Sequence, residues 1–521
     1  MGKVDLHVGS LNVRKDAKRK SINDSKECSI TFESILETLA YDKDPEVRMA
    51  VALNPNTLGL ILDKLADDSE KDVRREVAKN PNTLGSTLEK LADDRELSVR
   101  EEVAKNPNTS SMVLDKLADD SEKYVRAEVA GNLSTSISTL DKLAYDSDYV
   151  VRRKVAQNSN ILRSTLEKLA DDCKCDVREN IAQNPNTLGL ILDKLADDSE
   201  KDVRREVAKN PNTLGSTLEK LADDRELSVC EEVAKNPNTS SMVLDKLADH
   251  DYCNIRIYVA QNSNTLGSTL EKLVNDDAWS VREEVAKNPN TSSRVLEKLA
   301  DDRGWGVRMY VAQNPNTLES TLGKLACDEE SHVRSSSIVN SKEQEYKLEK
   351  FAAKDSEVRK MIAKNPNTLA STLEKLANDS YWKVRREVAK NPNALASTLE
   401  KLANDSYWKV RKEVVKNPNT LASTLEKLAD DSYYEVCTIV PQNPNTLAST
   451  LDKFADGRGH EVCMYVANNP NTLVSTLEKL VNDSKWYVRK AVANNPNTPV
   501  STLKKLSKDK EKSVRKVVAS R

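Results

Sequence analysis

Hydrophobic residues recur along this chain with a period of 26 residues. In the repeat that begins at Asn54, two leucines three residues apart, Leu62 and Leu65, precede two valines four residues apart, Val73 and Val77. Both spacings place the side chains on one face of a helix, and the positions between them are mostly polar. The pattern therefore predicts two short amphipathic helices in every repeat, with their apolar faces turned toward a shared core.

Turn residues separate the predicted helices. Eighteen repeats open with an asparagine, and in fourteen of them proline follows, as in Asn54–Thr57. The proline ends the preceding helix because it forces the residue before it out of the α region. We expect Thr57 to cap the first helix and Asp68 to cap the second. The period is broken once, between Asn340 and Asn365, which are 25 residues apart.

A single repeat is too small to bury a hydrophobic core, so neighbouring repeats must stack and the two ends of the array need polar caps. We predict an all-α fold, an α-solenoid of about nineteen two-helix repeats. The expected parts are a basic segment 1–27 that is disordered or caps the array, a first array 28–339, an irregular unit 340–364 with a kink, and a second array 365–520 that ends in a basic cap.

Composition agrees with a solenoid, in which every repeat exposes much of its surface. Aromatic residues make up only 4% of the chain and charged residues 31%. The formal net charge is −3 and no basic stripe follows the repeats, which disfavours nucleic-acid binding along the array. No apolar run has the length of a signal peptide or of a membrane span. We therefore expect a cytoplasmic protein that does not associate with membranes.

The repeated motif resembles a known family. From Val203 the sequence reads V-R-x-x-V-A-x-N-P-N-T-x-x-x-x-L-x-x-L-A-x-D, which is similar to the leucine-rich repeat variant family of HEAT-like helical solenoids. The resemblance implies a right-handed superhelix in which one helix of each repeat is a 3-10 helix. One member type also carries a cysteine-rich iron–sulfur module at its N-terminus, but this chain has only Cys28 in that region. The family's members share no biochemical role, so the resemblance implies no activity.

With the turn asparagine as position 1, arginine at position 21 and aspartate at position 15 recur in most repeats, and we expect the pairs Asp68–Arg74 and Asp302–Arg308. Paired arginines serve a phosphate poorly, so we interpret these groups as structural. We expect the asparagine amide to bond backbone groups around each turn. The predicted structural residues are represented by Asn54, Asp68, Arg74, Asn184, Asn314 and Asn443.

No group of residues indicates catalysis. The arginine position holds Cys230, Cys437 and Cys463 in three repeats, and the other cysteines lie at differing positions. The four histidines share no repeat position and accompany no nucleophile. We therefore predict no catalytic residue, no metal site and no cofactor.

Position 18 holds all five tryptophans of the chain. Other repeats have Lys71 or Ser331 there, so we expect the aromatic side chains at this position to be partly exposed. Two interpretations are open: the rings bind a partner, or they lie flat over the neighbouring helix. The candidate binding strip consists of Tyr381, Trp382, Tyr407, Trp408, Tyr433, Tyr434 and Trp486.

The favoured function is a non-enzymatic scaffold for protein–protein interaction, with partners of unknown identity that bind within residues 379–487. The alternative is a solenoid that binds nucleic acid through its C-terminal end, because residues 485–521 carry eleven basic and two acidic side chains. A HEAT-like enzyme is the least favoured of the three functions.

Overall fold

The computed structural model describes residues 32–456 and 458–521, which form two compact units. Unit 1 contains the described residues up to Ser136 together with those from Thr446 onward, and unit 2 contains Ile137–Asn445. The basic segment 1–27 and Cys28 lie outside the described residues. Every repeat in both units supplies a first helix, commonly of seven residues, and a second helix, commonly of nine.

In unit 1 the first helices are 32–39, Gly59–Leu65, Gly85–Leu91, Ser111–Leu117, Ala448–Ala455, Val474–Leu480 and Val500–Leu506. The second helices of unit 1 are Pro45–Leu53, Lys71–Lys79, Leu97–Lys105, Lys123–Gly131, His460–Asn468, Trp486–Asn494 and Lys512–Ala519.

In unit 2 the first helices are Ile137–Leu143, Arg163–Leu169, Gly189–Leu195, Gly215–Leu221, Ser241–Leu247, Gly267–Leu273, Ser293–Leu299, Glu319–Leu325, Gln344–Phe351, Ala370–Leu376, Ala396–Leu402 and Ala422–Leu428. The second helices of unit 2 are Tyr149–Gln157, Cys175–Gln183, Lys201–Lys209, Leu227–Lys235, Cys253–Gln261, Trp279–Lys287, Trp305–Gln313, Ser331–Asn340, Ser356–Lys364, Trp382–Lys390, Trp408–Lys416 and the short Tyr434–Cys437.

Second helices of consecutive repeats pack side by side within each unit, and each first helix fills the space between two of them. The four apolar positions that define the repeat are buried, as Leu62, Leu65, Val73 and Val77 show. Neither described range contains a β-strand. The fold is therefore an α-solenoid, as the sequence predicts.

Both helices of a repeat are α-helices, which differs from the alternation that the family resemblance implies. In the described ranges a 3-10 helix occurs at Val440–Gln442, directly after the short helix Tyr434–Cys437. Pro441 lies in this segment and lacks the N–H group that an α-helix would require there. Proline thus explains the one 3-10 segment, and the regular repeats have no such interruption.

Two predicted helix caps are wrong. The residue before the helix Gly59–Leu65 is Leu58, and Thr57 instead donates its hydroxyl hydrogen bond to the carbonyl of Val51, at 2.6 Å. Asp68 lies two residues before the cap of the second helix and accepts a hydrogen bond from the N–H of Glu70. The threonine hydroxyl is buried, so it satisfies a carbonyl left open at the end of the preceding helix.

Unit 1 contains a contact that the repeat pattern does not predict. The last helix of the chain, Lys512–Ala519, packs against Pro45–Leu53 in the way that second helices of consecutive repeats do. Arg515 binds both carboxylate oxygens of Asp42, at 2.9 and 3.3 Å. Lys512 forms an ion pair with Glu46 at 2.8 Å. The first and last repeats therefore cover one another's stacking faces, where the sequence predicts two separate polar caps.

The hydrogen bonds from asparagine side chains to backbone carbonyls at these two ends match those between consecutive repeats. Asn54 donates its side-chain N–H to the carbonyl of Ala519 at 2.7 Å, and the next asparagine, Asn80, makes the equivalent bond to Ala52 at 2.6 Å. The end-to-end contact thus uses the same hydrogen bonds as any other pair of neighbouring repeats.

In the irregular repeat of unit 2, the side chain of Gln344 links neighbouring repeats. The helix Ser331–Asn340 runs one residue further than its neighbours. Gln344 then donates to the carbonyl of Val339 at 2.5 Å and accepts from the N–H of Leu369 at 3.1 Å. Its amide thus connects two repeats, while Asn340 keeps the regular bonds to the carbonyls of Ala312 and Asn314, both at 2.9 Å. A kink over 340–364 stays a prediction.

Candidate interaction surface

A ladder of asparagine amides holds the turns of successive repeats together. Asn106, which is 2% exposed, donates to the carbonyls of Ala78 and Asn80 at 2.7 and 3.0 Å. Its side-chain oxygen accepts the N–H of Asn108 at 2.9 Å. The same donor pattern to the preceding repeat recurs at Asn184, Asn314 and Asn443.

Arginine at position 21 pairs with the aspartate of the following repeat, which differs from the pairing within one repeat that the sequence suggested. Arg74 donates to both carboxylate oxygens of Asp94, at 2.7 and 3.2 Å. From Asp68 it contacts the backbone carbonyl and not the carboxylate. Arg308 likewise pairs with Asp328 at 2.7 Å. Each arginine thus joins the backbone of its own repeat to the carboxylate of the next.

These pairs bury charge on both partners and shift the carboxylates. Burial opposes ionisation of Asp94, but hydrogen bonds from Arg74 and from the N–H of Glu96 outweigh it, so the pKa of Asp94 lies below its usual range. The same causes lower the pKa of Asp224 and Asp328. Because these arginines are paired with aspartates, they are not free to bind the phosphates of a nucleic acid.

Loss of the arginine coincides with changes at its partner position. Cys230 replaces arginine, and the partner position in the next repeat holds His250. Cys437 is followed in the same way by Gly457 in the sequence. After Cys463 the aspartate is kept, and His460 lies 3.0 Å from Asp483. Burial raises the pKa of the Cys230 thiol, which keeps it protonated. Two of the three cysteine replacements have therefore lost both members of the ion pair.

Restoring such a pair should stabilise unit 2. The double variant Cys230→Arg with His250→Asp recreates the geometry of Arg100 and Asp120, which are 2.8 Å apart in a segment nearly identical in sequence. We expect a gain of about 1–3 kcal/mol in the free energy of unfolding, measured by urea denaturation. Cys230→Arg alone should give no gain, because its guanidinium would be half-buried without a carboxylate. Equal stability of the single and double variants would refute this coupling.

Aromatic side chains at position 18 are exposed to differing degrees. Trp279 and Trp305 are 61% and 47% exposed, and Tyr434 is 64% exposed. Trp382 and Trp408 are half-buried. The prediction of partial exposure at this position is thus met, and the half-buried Trp382 and Trp408 each stack on a tyrosine of the next repeat.

The half-buried tryptophans stack on tyrosines one repeat further along. The ring of Trp382 lies 4.3 Å from that of Tyr407, with an angle of 20° between the planes. Trp408 and Tyr433 repeat the arrangement, with a centroid distance of 6.0 Å and an angle of 15°. One ring face of each tryptophan is therefore used for packing between repeats, and part of each tyrosine is left at the surface.

Cations surround the stacked rings. The Lys409 ammonium lies 5.6 Å from the ring centroids of both Trp382 and Trp408. Arg386 lies 5.4 Å from Trp382, and Lys412 lies 5.8 Å from Trp408. These distances permit cation–π attraction, and they make the surface both aromatic and basic.

No family model matches the chain, and no curated protein matches it either. Similar solved structures include a leucine-rich repeat variant with a novel repetitive structural motif, at 25% identity over 39% of this chain and 80% of the other, with a TM-score of 0.31. Yeast importin-β is 10% identical over 93% of this chain and 71% of its own, with a TM-score of 0.32. A homology model of the full-length AP-3 complex is 11% identical over 93% and 95%, with a TM-score of 0.26.

The structure brings together six of the seven predicted strip residues. Tyr381, Trp382, Tyr407, Trp408, Tyr433 and Tyr434 lie in three consecutive repeats of unit 2, whereas Trp486 belongs to unit 1. We refer to these six residues as the aromatic strip. The sequence interpretation in which the rings lie flat over the neighbouring helix did not identify tyrosine as the stacking partner. A signal was present, because tyrosine follows 25 residues after tryptophan at both stacked pairs.

Residues 32–456 and 458–521 contain no group of three histidine, cysteine or acidic side chains arranged to hold a metal ion. Over the same ranges no helix combines the length and apolar character needed to cross a membrane. At the basic C-terminal end, Lys512 and Arg515 are paired with Glu46 and Asp42 of the first repeat.

Proposed function

We propose that this chain is a non-enzymatic cytoplasmic scaffold that binds a protein partner through the aromatic strip of unit 2. The observation that carries the proposal is the exposure of tyrosines from two successive repeats, with Tyr407, Tyr433 and Tyr434 at 38%, 45% and 64%. Exposed tyrosine and tryptophan side chains supply large contact areas at a low cost in conformational entropy, and they dominate the energetics of many interfaces.

Packing between repeats explains only part of the strip. It accounts for the half-buried faces of Trp382 and Trp408, which lie against Tyr407 and Tyr433. It leaves Tyr434 unexplained, because this ring extends into solvent beyond the last stacked pair. The strip therefore combines a rigid aromatic base with exposed edges, which is an arrangement that loses little freedom when a partner binds.

The test replaces Trp382, Trp408 and Tyr434 with glutamine. Position 18 accepts a long polar side chain in other repeats, such as Lys71, and glutamine keeps an unbranched stem over the neighbouring helix without adding charge. We expect the unfolding free energy to fall by less than about 2 kcal/mol, with partner binding lost. Nuclease-treated affinity purification with mass spectrometry compares the proteins captured by the variant and by the original chain.

The matched control replaces Trp279 and Trp305 with glutamine. These tryptophans occupy the same repeat position in unit 2 but lie outside the aromatic strip. The control should retain every captured protein that the strip variant loses. Capture that is unchanged in both variants would refute the strip as a binding site, and a loss of more than about 3 kcal/mol in the strip variant would make its aromatics structural.

A further inference from the structure

We propose that the aromatic strip of unit 2 recognises a short acidic segment of the partner protein. This inference rests on the proposed function and names the chemistry of the partner. The carrying observation is a pair of lysines, Lys409 and Lys412, that lie beside the stacked tryptophans and form no ion pair with any carboxylate in the described ranges.

Several lysines on other second helices are neutralised by carboxylates of the same helix. Lys105 contacts both Glu101 and Glu102, and Lys287 contacts both Glu283 and Glu284. The exposed tryptophan of the Lys287 helix, Trp279, therefore has internally balanced charges beside it. In the helices Trp382–Lys390 and Trp408–Lys416, lysine follows each tryptophan directly, and Arg386 or Lys412 lies four positions after the tryptophan.

The basic surface is short. Position 19, which holds Lys383 and Lys409 in the two central repeats, holds Glu357 in the preceding repeat and Glu435 in the following one. Two neighbouring helices about 8–10 Å apart are spanned by about three extended residues. Acidic residues on both sides thus limit the anion to a short segment and oppose a long polyanion that runs along the array.

Ring geometry also favours a carboxylate over a nucleic-acid base. In proteins that bind single-stranded nucleic acid, the bases stack on exposed aromatic faces. In the strip one face of Trp382 is covered by Tyr407 at 4.3 Å, and Arg386 and Lys409 approach the same indole. The groups left for a ligand are ammonium groups and ring edges. An ammonium group donates charge-assisted hydrogen bonds to a carboxylate, and tyrosine edges cover apolar side chains beside it.

The probe is a fluorescein-labelled peptide of about twelve residues that alternates glutamate with leucine, because this length exceeds the estimated span of the basic surface. Fluorescence anisotropy with the full chain should give saturable binding that weakens as salt is raised. The same peptide with every glutamate replaced by glutamine should bind about tenfold more weakly or worse. A labelled oligothymidylate of equal length is tested in parallel.

Charge reversal assigns the binding to the strip. The double variant Lys409→Glu with Lys412→Glu should lower the affinity for the acidic peptide by about ten- to a hundredfold, because two attractive interactions become repulsive. The control Lys508→Glu with Lys510→Glu makes the same change of net charge at exposed lysines of the C-terminal repeat and should leave the affinity unchanged. Circular dichroism verifies that both variants are folded.

Each alternative outcome overturns the inference. Equal binding of the glutamate and glutamine peptides would mean that acidity is not recognised. Tighter, competing binding of the oligothymidylate would assign the surface to nucleic acid. Equal loss in both charge-reversal variants would remove the strip as the site. If the acidic peptide shows no binding while the glutamine triple variant of Trp382, Trp408 and Tyr434 still loses its captured protein, the proposed function stands. In that case only the inference of an acidic partner segment is refuted.

Discussion

Replacing Asn106 with alanine should lower the free energy of unfolding of unit 1 by about 3–5 kcal/mol, because three buried hydrogen bonds disappear at once. The amide donates to the carbonyls of Ala78 and Asn80, and its oxygen accepts the N–H of Asn108. Alanine removes the side-chain partner of the Ala78 carbonyl and of the Asn108 N–H in a site that is 2% exposed, and the Asn80 carbonyl keeps only the N–H of Thr83. Urea denaturation followed by circular dichroism measures the loss.

The control for this variant is Asn108→Ala, two residues away in the same turn. Asn108 donates its amide to the carbonyl of Pro81 at the surface, where water can replace the lost bond. We expect its cost to stay below about 1 kcal/mol. Similar costs for both variants would contradict the importance assigned to the buried asparagine ladder.

The contact between the first and last repeats should behave in solution like any other repeat interface. Alanine replacement of Asp42 or Arg515 should each cost about 2–4 kcal/mol in unit 1, since the remaining partner keeps a largely buried charge. A double-mutant cycle should give a coupling energy of about 1–3 kcal/mol, obtained from denaturant unfolding of the four proteins. Amide hydrogen exchange should also show loss of protection in Lys512–Ala519 and Pro45–Leu53.

Arg74 and Asp94 provide the matched cycle, because they form the same bidentate pair between two consecutive repeats. Comparable coupling in both cycles would establish the end-to-end contact. Coupling that is present for Arg74 and Asp94 but absent for Asp42 and Arg515 would mean that the end repeats are apart in solution.

The sequence alone predicted the features that depend on local periodicity. Leu62, Leu65, Val73 and Val77 have helical spacing, and their burial follows directly from it. The turn at Asn54 was equally predictable, because the proline after it excludes helical geometry, and the structure places this asparagine in an extended conformation. Helix positions, core and repeat boundaries are therefore encoded within about one period of sequence.

Features that depend on the stacking offset could not be predicted in the same way. The guanidinium of Arg74 has carboxylates available in its own and the following repeat, and only the rotation between repeats selects Asp94 over Asp68. The meeting of Asp42 with Arg515 depends on the path of the whole chain between them, which no local pattern describes. The stacking of Trp382 on Tyr407 required the same knowledge of the offset.

The contact between first and last repeats changes how unit 1 can begin to unfold. In a nearest-neighbour description of a repeat array, a terminal repeat is held by one interface and frays first. Here the helix Pro45–Leu53 has a neighbour on both sides, Lys71–Lys79 and Lys512–Ala519, and the last helix likewise lies between Trp486–Asn494 and Pro45–Leu53. Releasing either end repeat must therefore break two interfaces, so local opening at the ends should be as rare as in the interior of the array.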